Sequence, residues 1–397
     1  MNNMTILLID DEPDIVKLLE KALENEGYTV HTACNGKEGW KKYQSNSYDV
    51  VVVDNQMEQM TGMELLQKII ERNPFAAVIM ITAFSSEEIV IKAFNEFHAS
   101  GYLTKPFSPS ALLEKVKVVI ERKTRIATEW YEHNLPFPIA STRSMIETHS
   151  IYHSRLTAMM DCAESIIKYC TSIVLANYLK LEPNEKVGLF RSFDSPKSFG
   201  SWKRELGEKL KELRKRRNEV FPIIPEIESF YFKKKGINEK ILQNIVEKRN
   251  NISHGGTQNE GVYKTLFEEL MPKLNQVLYE LEFTSEFPLV VVTDMEITSD
   301  ELINYQIKTI MGNQLYKFVH SDLTCRIDEL RLRKNNMLYI LDEKNQQALL
   351  LSPFLIFDHC EICHNEETFF LDKIQGKIFE YRTYRLNHFE YRLKKEI

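Results

Sequence analysis

The chain has 397 residues and a formal net charge of −6, with apolar and charged fractions that are ordinary for a soluble globular protein. No apolar run is long enough to cross a bilayer, and the N-terminal sequence lacks the basic stretch and apolar core of a signal peptide. We therefore expect a cytoplasmic protein of two or three domains whose six cysteines are thiols or metal ligands.

Charge is distributed unevenly along the chain. Residues 1–122 hold 12 basic and 18 acidic side chains, and the remaining 275 residues balance at 39 of each sign. Residues 203–217, KRELGEKLKELRKRR, carry eight positive and three negative charges. Such a run is either a solvated helix face or a surface that contacts a polyanion, and the solvated face is the more common case.

The first 122 residues alternate strand-like and helix-like stretches. Five apolar stretches read as strands, and an amphipathic stretch follows each of them: TILLID, TVHTA, YDVVVVD, AAVIMITA and GYLTKPF. Five β–α units predict a flavodoxin-like α/β domain, a parallel sheet with helices on both faces. Ligands of such folds bind at the carboxyl ends of the strands.

Polar side chains follow four of these strands. Asp10 and Asp11 follow the first strand, Asp54 the third, Thr82 the fourth and Lys105 the fifth. Three carboxylates in one crevice repel each other unless a cation such as Mg²⁺ lies among them. An aspartate in that setting can act as a nucleophile that forms an acyl phosphate, while the lysine and threonine contact phosphoryl oxygens.

This pattern resembles the receiver domain of two-component response regulators, and the stretches LLIDDEP, VVVDNQM, MITAF and YLTKPF carry the resemblance in order. It implies that a sensor histidine kinase or phosphotransfer protein phosphorylates Asp54. It also implies an Mg²⁺ site and a group of residues that respond to the phosphoryl group. The implied metal ligands are Asp10, Asp11, Asp54 and the carbonyl of Gln56, and the implied phosphoryl-binding and switch residues are Thr82, Lys105 and Tyr102. Glu58 stands where most receivers have proline.

Beyond the receiver the pattern is helical. Residues 112–135 read as one helix that extends the last receiver helix, and LPFPIA ends it with two prolines. We predict a helical linker over 123–143 and an all-α bundle over 144–284. No helix-turn-helix signature is present, so DNA binding is not expected.

The stretch EKRNNISHGG, residues 247–256, ends a long helical pattern. Arg249 and His254 are five residues apart, which places them roughly 140° apart on an ideal helix. Basic residues at a helix C-terminus stabilise its dipole, and this is one explanation. The other is chemical, because histidine supplies acid–base catalysis and arginine supplies charge at a phosphate, as RNA cleavage requires. A symmetric dimer would then bring two half-sites together.

RNNISHG also resembles the R-x4-6-H motif of HEPN domains, which are helical modules of bacterial conflict and RNA-processing systems. The resemblance implies a metal-independent RNase that acts as a homodimer, with Arg249 and His254 catalytic and Asn250 assisting. A receiver in control of such an RNase would suit antiphage or stress defence. Some family members only bind nucleotides or proteins, so a phosphorylation-controlled binding regulator remains an alternative.

Residues 285–397 are rich in alternating aromatic and β-branched residues and predict a β-rich C-terminal domain. HCEICH places Cys360 and Cys363 at the C-x2-C spacing of zinc knuckles. A structural zinc site needs four ligands, and a second C-x2-C is absent from the sequence. Either His359, His364 and His388 contribute the missing ligands, or the two cysteines are free thiols on a turn.

Overall fold

The computed structural model describes residues 4–46, 48–73, 76–83, 99–254, 259–298, 302–313, 318–326, 330, 332–333, 337–376 and 378–384. Within these ranges, the side chains of 122–128, 233–235 and 249–254 are outside the description. The chain divides into two compact units, Met1–Trp130 and Tyr131–Ile397. Each unit is described by itself below.

The first unit is built on a five-stranded parallel sheet in the order β2-β1-β3-β4-β5. Its strands are β1 (Thr5–Ile9), β2 (Thr29–Ala33), β3 (Val50–Asp54), β4 (Val78–Thr82) and β5 (Gly101–Thr104). Its helices are α1 (Pro13–Asn25), α2 (Gly36–Ser45), α3 (Gly62–Arg72) and α4 (Pro109–Asn134), the last of which ends beyond the unit boundary. The five predicted strands are confirmed. The helix predicted from SEEIVIKAFNEFHA lies outside the described residues except for its last residue.

Two apolar cores lie on the two faces of this sheet. Leu7 and Ile9 of β1 pack in one core with residues of α2 and α3, whereas Ile6 and Leu8 pack in the other with residues of α1 and α4. Successive side chains of a strand point to opposite faces, so one apolar run supplies both cores. The sheet is buried on both sides, and its polar strand ends are left as the place where a ligand can bind.

Local capping fixes where three of these helices begin. The Asn35 side chain accepts a hydrogen bond from the Glu38 amide at the start of α2. Thr61 and Glu64 form a reciprocal capping box at the start of α3. Before α4, the Ser108 hydroxyl accepts a hydrogen bond from the Ala111 amide at 3.2 Å, so Ser108 caps this helix.

The second unit begins with helices, as predicted. They are α5 (Phe137–Thr148), α6 (Tyr152–Leu181), α7 (Lys186–Arg191), α8 (Phe199–Leu213), α9 (Ile223–His254) and α10 (Glu260–Tyr279). Helix α6 is buried over most of its length and contacts α5, α8, α9 and α10. The prolines of LPFPIA end α4 but also begin α5, which starts inside the predicted linker. Proline is tolerated in the first helical turn, where its missing N–H has no intrahelical partner.

Strands follow the helices and form two antiparallel sheets. The first contains β6 (Leu289–Ile297), β7 (Leu302–Thr309), β8 (Val319–Arg326), β9 (Leu338–Asp342) and β10 (Gln347–Leu350), in the order β10-β9-β6-β7-β8. The second contains β11 (Leu355–His359), β12 (Glu366–Gln375) and β13 (Ile378–Arg382). The predicted β-rich C-terminal region is therefore present.

The helical and strand-rich segments pack against each other within the second unit. The Ile374 amide of β12 donates to the Phe193 carbonyl at 2.8 Å, and the Phe193 ring lies between Trp202 of α8 and Phe354. The predicted division after residue 284 marks the change from helices to strands. As folding domains, the predicted ranges 1–122, 123–143, 144–284 and 285–397 stay predictions.

Candidate functional site

The polar strand ends of the first unit meet at one edge of the sheet. Asp10 follows β1, Asp54 ends β3 and Thr82 ends β4. Pairing continues past the strands, because the Asn55 amide donates to the Ile81 carbonyl and the Lys105 amide donates to the Thr82 carbonyl, both at 2.8 Å. The parallel register therefore brings the ends of β1, β3, β4 and β5 into one pocket.

Three aspartates form an acidic cluster in this pocket. Asp10 and Asp54 are buried, Asp11 is exposed, and one carboxylate oxygen from each lies within 4.8 Å of the others. Within the described part of the chain, this is the one group of three or more His, Cys, Asp or Glu residues with that spacing. The set offers hard oxygen ligands with an open, solvent-facing side, which fits Mg²⁺. Gln56 lies two residues beyond Asp54 with its side chain exposed, and its carbonyl as a fourth ligand stays a prediction.

Lys105 is the counter-charge of the acidic cluster. Its Nζ lies 3.1 Å from Asp10 Oδ2, 3.0 Å from Glu12 Oε1 and 3.6 Å from Asp54 Oδ1. Burial lowers the pKa of the lysine, but its hydrogen bonds to Glu12 and Asp10 and the nearby negative charges outweigh burial, so that its pKa is raised. The ammonium therefore stays charged beside Asp54.

Glu12 is the site residue that the sequence reasoning missed. Its carboxylate is 60% exposed and holds Lys105 from the solvent side, and its amide donates to Asp10 Oδ1 at 2.9 Å. The sequence does show that Glu12 is the third of three consecutive acidic residues in IDDEP, directly after the first strand. Nothing local, however, indicates that this side chain turns toward a lysine 93 residues away.

Asp54 sits in an environment that opposes its charge. Burial raises its pKa to about 6, with the charges of Asp10 and Asp11 adding to the effect and Lys105 opposing it. A cation among the three carboxylates would favour the ionised form, which is the nucleophilic one. The residues around Asp54 thus oppose its charge, and a bound cation would offset that opposition.

The loop after Asp54 depends on a close backbone approach. The Gly62 amide donates to the Asn55 carbonyl at 3.1 Å, and a Cβ at residue 62 would lie 2.4 Å from the Asp54 carbonyl oxygen. Gln59 has a φ of 67°, the left-handed region that glycine usually occupies. The loop that contains Glu58 is therefore a tight turn, and Gly62 lets α3 begin directly against the end of β3.

The two predicted switch residues differ in exposure. Thr82 is buried, with 3% of its surface accessible, at the inner end of β4. Tyr102 in β5 is 41% exposed, and the Lys115 Nζ of α4 lies 6.0 Å from the centre of its ring. Their roles as phosphoryl-binding and switch residues stay predictions.

The predicted nuclease motif lies at the end of α9. The helix continues through Arg249 and Asn250 and ends at His254. The side chains of these three residues lie outside the described residues, as do residues 255–258, so their catalytic roles stay predictions. The helical backbone puts positions 250 and 254, four residues apart, on one face, and position 249 on another.

The predicted zinc knuckle gains no support from the structure. Cys360 is buried at the end of β11 and Cys363 is half-buried on the following turn, and both are free thiols. The rings of His359 and His364 are 6.2 Å apart. These residues form no metal-ligand group of three within the ranges that the structure describes, and His388 lies outside them. Burial raises the pKa of Cys363, with the neighbouring Cys360 adding to the effect, so Cys363 favours the neutral thiol.

Comparison with known proteins identifies the first unit. Residues 6–117 match the sequence model of the family described as response regulator receiver domain. The chain is 35% identical over 120 residues to the alkaline phosphatase synthesis transcriptional regulatory protein PhoP of Bacillus subtilis, which is 30% of this chain and 50% of that protein. It is 33% identical over 127 residues to the transcriptional regulatory protein SrrA of Staphylococcus aureus, 32% of this chain and 52% of that protein. The chain thus spans about half the length of these curated relatives.

Solved receiver structures are similar to about a third of the chain. A response regulator receiver domain protein from Clostridium thermocellum is 34% identical, with 31% of this chain and 98% of that chain covered and a TM-score of 0.30. The response regulator protein TrrA from Thermotoga maritima, solved in complex with Mg²⁺ and BeF, is 37% identical, with 29% and 98% covered and a TM-score of 0.27.

Fold and pocket together define an α/β signalling domain with an acidic pocket at the carboxyl edge of its sheet. Residues 6–117 are a receiver domain of two-component response regulators. Receiver domains are phosphorylated on an aspartate by histidine kinases or phosphotransfer proteins, and they bind Mg²⁺ at their acidic pocket. In the described part of the chain, no helix combines the length and apolarity that a bilayer crossing requires.

Proposed function

We propose that this chain is a response regulator in which phosphorylation of Asp54 controls a HEPN-like, metal-independent endoribonuclease in its helical segment. The observation that carries the receiver half is the buried Asp54 carboxylate 3.6 Å from Lys105 and within 4.8 Å of Asp10 and Asp11. The RNase half rests on the motif RNNISH at the end of a long helix in a helical segment.

In the receiver, an oxygen of Asp54 attacks the phosphorus of a phosphohistidine on the kinase or phosphotransfer protein. A bond from oxygen to phosphorus forms as the phosphorus–nitrogen bond breaks, and the leaving imidazole takes up a proton. Mg²⁺, held by Asp10, Asp11, Asp54 and the Gln56 carbonyl, would neutralise charge on the phosphoryl oxygens. Lys105 then exchanges Glu12 for a phosphoryl oxygen.

The outward signal uses the two switch residues. The Thr82 hydroxyl donates to another phosphoryl oxygen, which draws the end of β4 toward Asp54. Tyr102 on the neighbouring strand then changes its exposure at the surface. Helix α4, which follows β5 and continues to Asn134, is the element through which such a change would leave the receiver.

The output chemistry follows from the residue types of the motif. His254 takes the proton of an RNA 2′-hydroxyl, the 2′-oxygen attacks the phosphorus, and the bond to the 5′-oxygen breaks as that oxygen gains a proton. Arg249 stabilises the negative charge at phosphorus, and Asn250 assists by hydrogen bonding. Because a helical backbone separates positions 249 and 254 by roughly 140°, the complete set needs two copies of α9, which is why we propose a homodimer.

Packing of α9 is consistent with that role. It contacts α6, α8 and α10, so the motif ends a helix that is anchored in a bundle. The curated relatives are named transcriptional regulators, but the similarity to them covers about a third of this chain, and the sequence beyond the receiver carries no helix-turn-helix signature.

The RNase is tested by comparing two histidine substitutions in the full chain. His254→Ala is expected to slow cleavage of total RNA by at least about 100-fold in EDTA, because it removes the proposed acid–base group. His320→Ala, on the exposed strand β8, is the matched control and is expected to cleave like the wild type. The fragments should carry 5′-hydroxyl ends, which polynucleotide kinase labels without prior dephosphorylation.

Equal cleavage by the wild type and His254→Ala would remove this histidine from the mechanism. Cleavage that stops in EDTA would contradict a metal-independent reaction. An absence of cleavage in every phosphorylation state, together with phosphorylation-dependent capture of a protein, would favour the binding regulator.

A further inference from the structure

A cleft of about 700 Å³ opens in the second unit, away from the nuclease motif in sequence. Its walls come from the end of α6, from α7, from Leu330 and Arg333, from the β9–β10 hairpin, and from Ser352 and Pro353. Its volume lies within the range of small-molecule sites, roughly 300–1,000 Å³. Neither the receiver chemistry nor the proposed RNase uses this cleft.

All charged residues at the rim of the cleft are positive. Lys180, Lys186 and Arg333 line it and are exposed, and no lining residue is acidic. None of the three cations forms a salt bridge with any residue in the described ranges. This contrasts with the basic run 203–217, where Lys203, Lys209, Arg214 and Arg216 all pair with glutamates. Lys180 Nζ lies 5.9 Å from the centre of the Phe221 ring, and Lys186 Nζ lies 5.6 Å from the centre of the Phe190 ring, so both ammonium groups lie near aromatic rings. Positive charges without a carboxylate partner in the described ranges concentrate the local field around an apolar recess and favour an anion.

The interior of the cleft is apolar and aromatic. Ala176, Leu330, Ala348 and Leu349 provide aliphatic surface, and Phe190 and Tyr339 provide rings. The Tyr339 ring is held in place, because its hydroxyl accepts from the Arg333 amide at 3.2 Å. Gln346 and Gln347 add amide groups at the hairpin, able both to donate and to accept hydrogen bonds. A flat ring system that has polar edges fits this surface.

We infer that this cleft binds a nucleotide, with the base against the apolar and aromatic wall and the phosphate at Lys180, Lys186 and Arg333. An anion alone would leave the apolar recess unused, and an uncharged ring compound would leave the three cations without an anionic partner among the described residues. A nucleotide satisfies both parts of the surface. The inference does not rest on the proposed RNase activity.

The test is titration of the full chain with ATP, AMP, adenosine and inorganic phosphate by calorimetry, in EDTA so that the acidic pocket of the receiver cannot recruit phosphate through a metal. We expect saturable binding of AMP or ATP that weakens with added salt. Lys186→Glu and Arg333→Glu should each weaken it by about tenfold or more, since each replaces an attractive charge with a repulsive one.

Two controls locate the site and separate it from the proposed nuclease. Lys215→Glu reverses the charge of an exposed side chain outside the cleft. It should leave the nucleotide affinity within about twofold of the wild-type value. His254→Ala should also bind nucleotide normally, whether or not it cleaves RNA. Circular dichroism melts of each variant verify that the fold is retained.

Three outcomes would overturn the inference. The first is an absence of nucleotide binding up to millimolar concentration. The second is binding that survives both cleft substitutions. The third is equal binding of inorganic phosphate or of adenosine, which would contradict a ligand that needs both a base and a phosphate.

Discussion

At the scale of single residues, the receiver pocket is the part of this chain that sequence predicts best. Carboxylates, a threonine and a lysine at the ends of adjacent strands have few alternative explanations, and Asp10, Asp11, Asp54 and Lys105 lie together in the structure. Glu12 was not predictable, because its role depends on where its side chain points. The side chains of the nuclease motif lie outside the described residues, so the predicted catalytic roles of Arg249, Asn250 and His254 rest on their residue types and spacing alone.

Asp54→Asn tests the electrostatics of the pocket. The folded-state pKa of about 6 exceeds the ordinary 3.8, so the ionised carboxylate destabilises the receiver above pH 6, and this effect fades as the pH falls toward 4. In EDTA at pH 7.5, the neutral variant is expected to be more stable than the wild type by up to about 3 kcal/mol. The difference should shrink by more than half at pH 4.5.

Hydrogen exchange of the β1 and β3 amides, corrected for intrinsic rates, measures this difference for the first unit inside the full chain. Asp322→Asn, on an exposed strand of the second unit, serves as the control. It should leave the stability of the first unit unchanged at both pH 7.5 and pH 4.5. A variant less stable than the wild type, or a difference that does not depend on pH, would contradict the assigned environment of Asp54.

At the scale of elements, the periodicity of apolar residues predicted whether a segment is a helix or a strand better than it predicted where each element begins and ends. The strands of the receiver were evident because buried parallel strands are short continuous apolar runs between turns. The prolines of LPFPIA were correctly read as a break, but the new helix starts at Phe137, inside the predicted linker. Four of the eight basic residues in the run 203–217 form ion pairs with glutamates, which favours a solvated face over a polyanion surface.

Gly62→Ala tests the turn between β3 and α3. The added methyl would lie 2.4 Å from the Asp54 carbonyl oxygen and 2.8 Å from Asn55 Cα. The backbone of Asp54, the proposed phosphorylation site, would therefore have to move. We expect the receiver to lose about 1–3 kcal/mol of stability and phosphorylation by acetyl phosphate to slow markedly. Gly261→Ala is the matched control, because its nearest neighbour would be 3.7 Å away. Equal phosphorylation rates for both variants and the wild type would show that the turn tolerates a side chain.

At the scale of the whole molecule, contacts between residues far apart in the chain could not be predicted from the sequence. Lys168 of α6 is almost fully buried and pairs with Glu164 and with the hydroxyl of Tyr384, 216 residues later. No periodic pattern indicates such a partnership, and propensity alone does not indicate that helices and strands share one compact unit. The receiver, in contrast, could be recognised because its contacts join consecutive β–α units.

The central claim is that a phosphoryl group on Asp54 changes RNA cleavage by the Arg249 and His254 pair. Its most direct measurement is the cleavage rate of the full chain before and after treatment with acetyl phosphate and Mg²⁺, for the wild type and for Asp54→Ala. The account predicts a change of at least about fivefold for the wild type, in one direction or the other, and none for Asp54→Ala. A wild-type rate that is the same in both states, or a change that persists in Asp54→Ala, would contradict it.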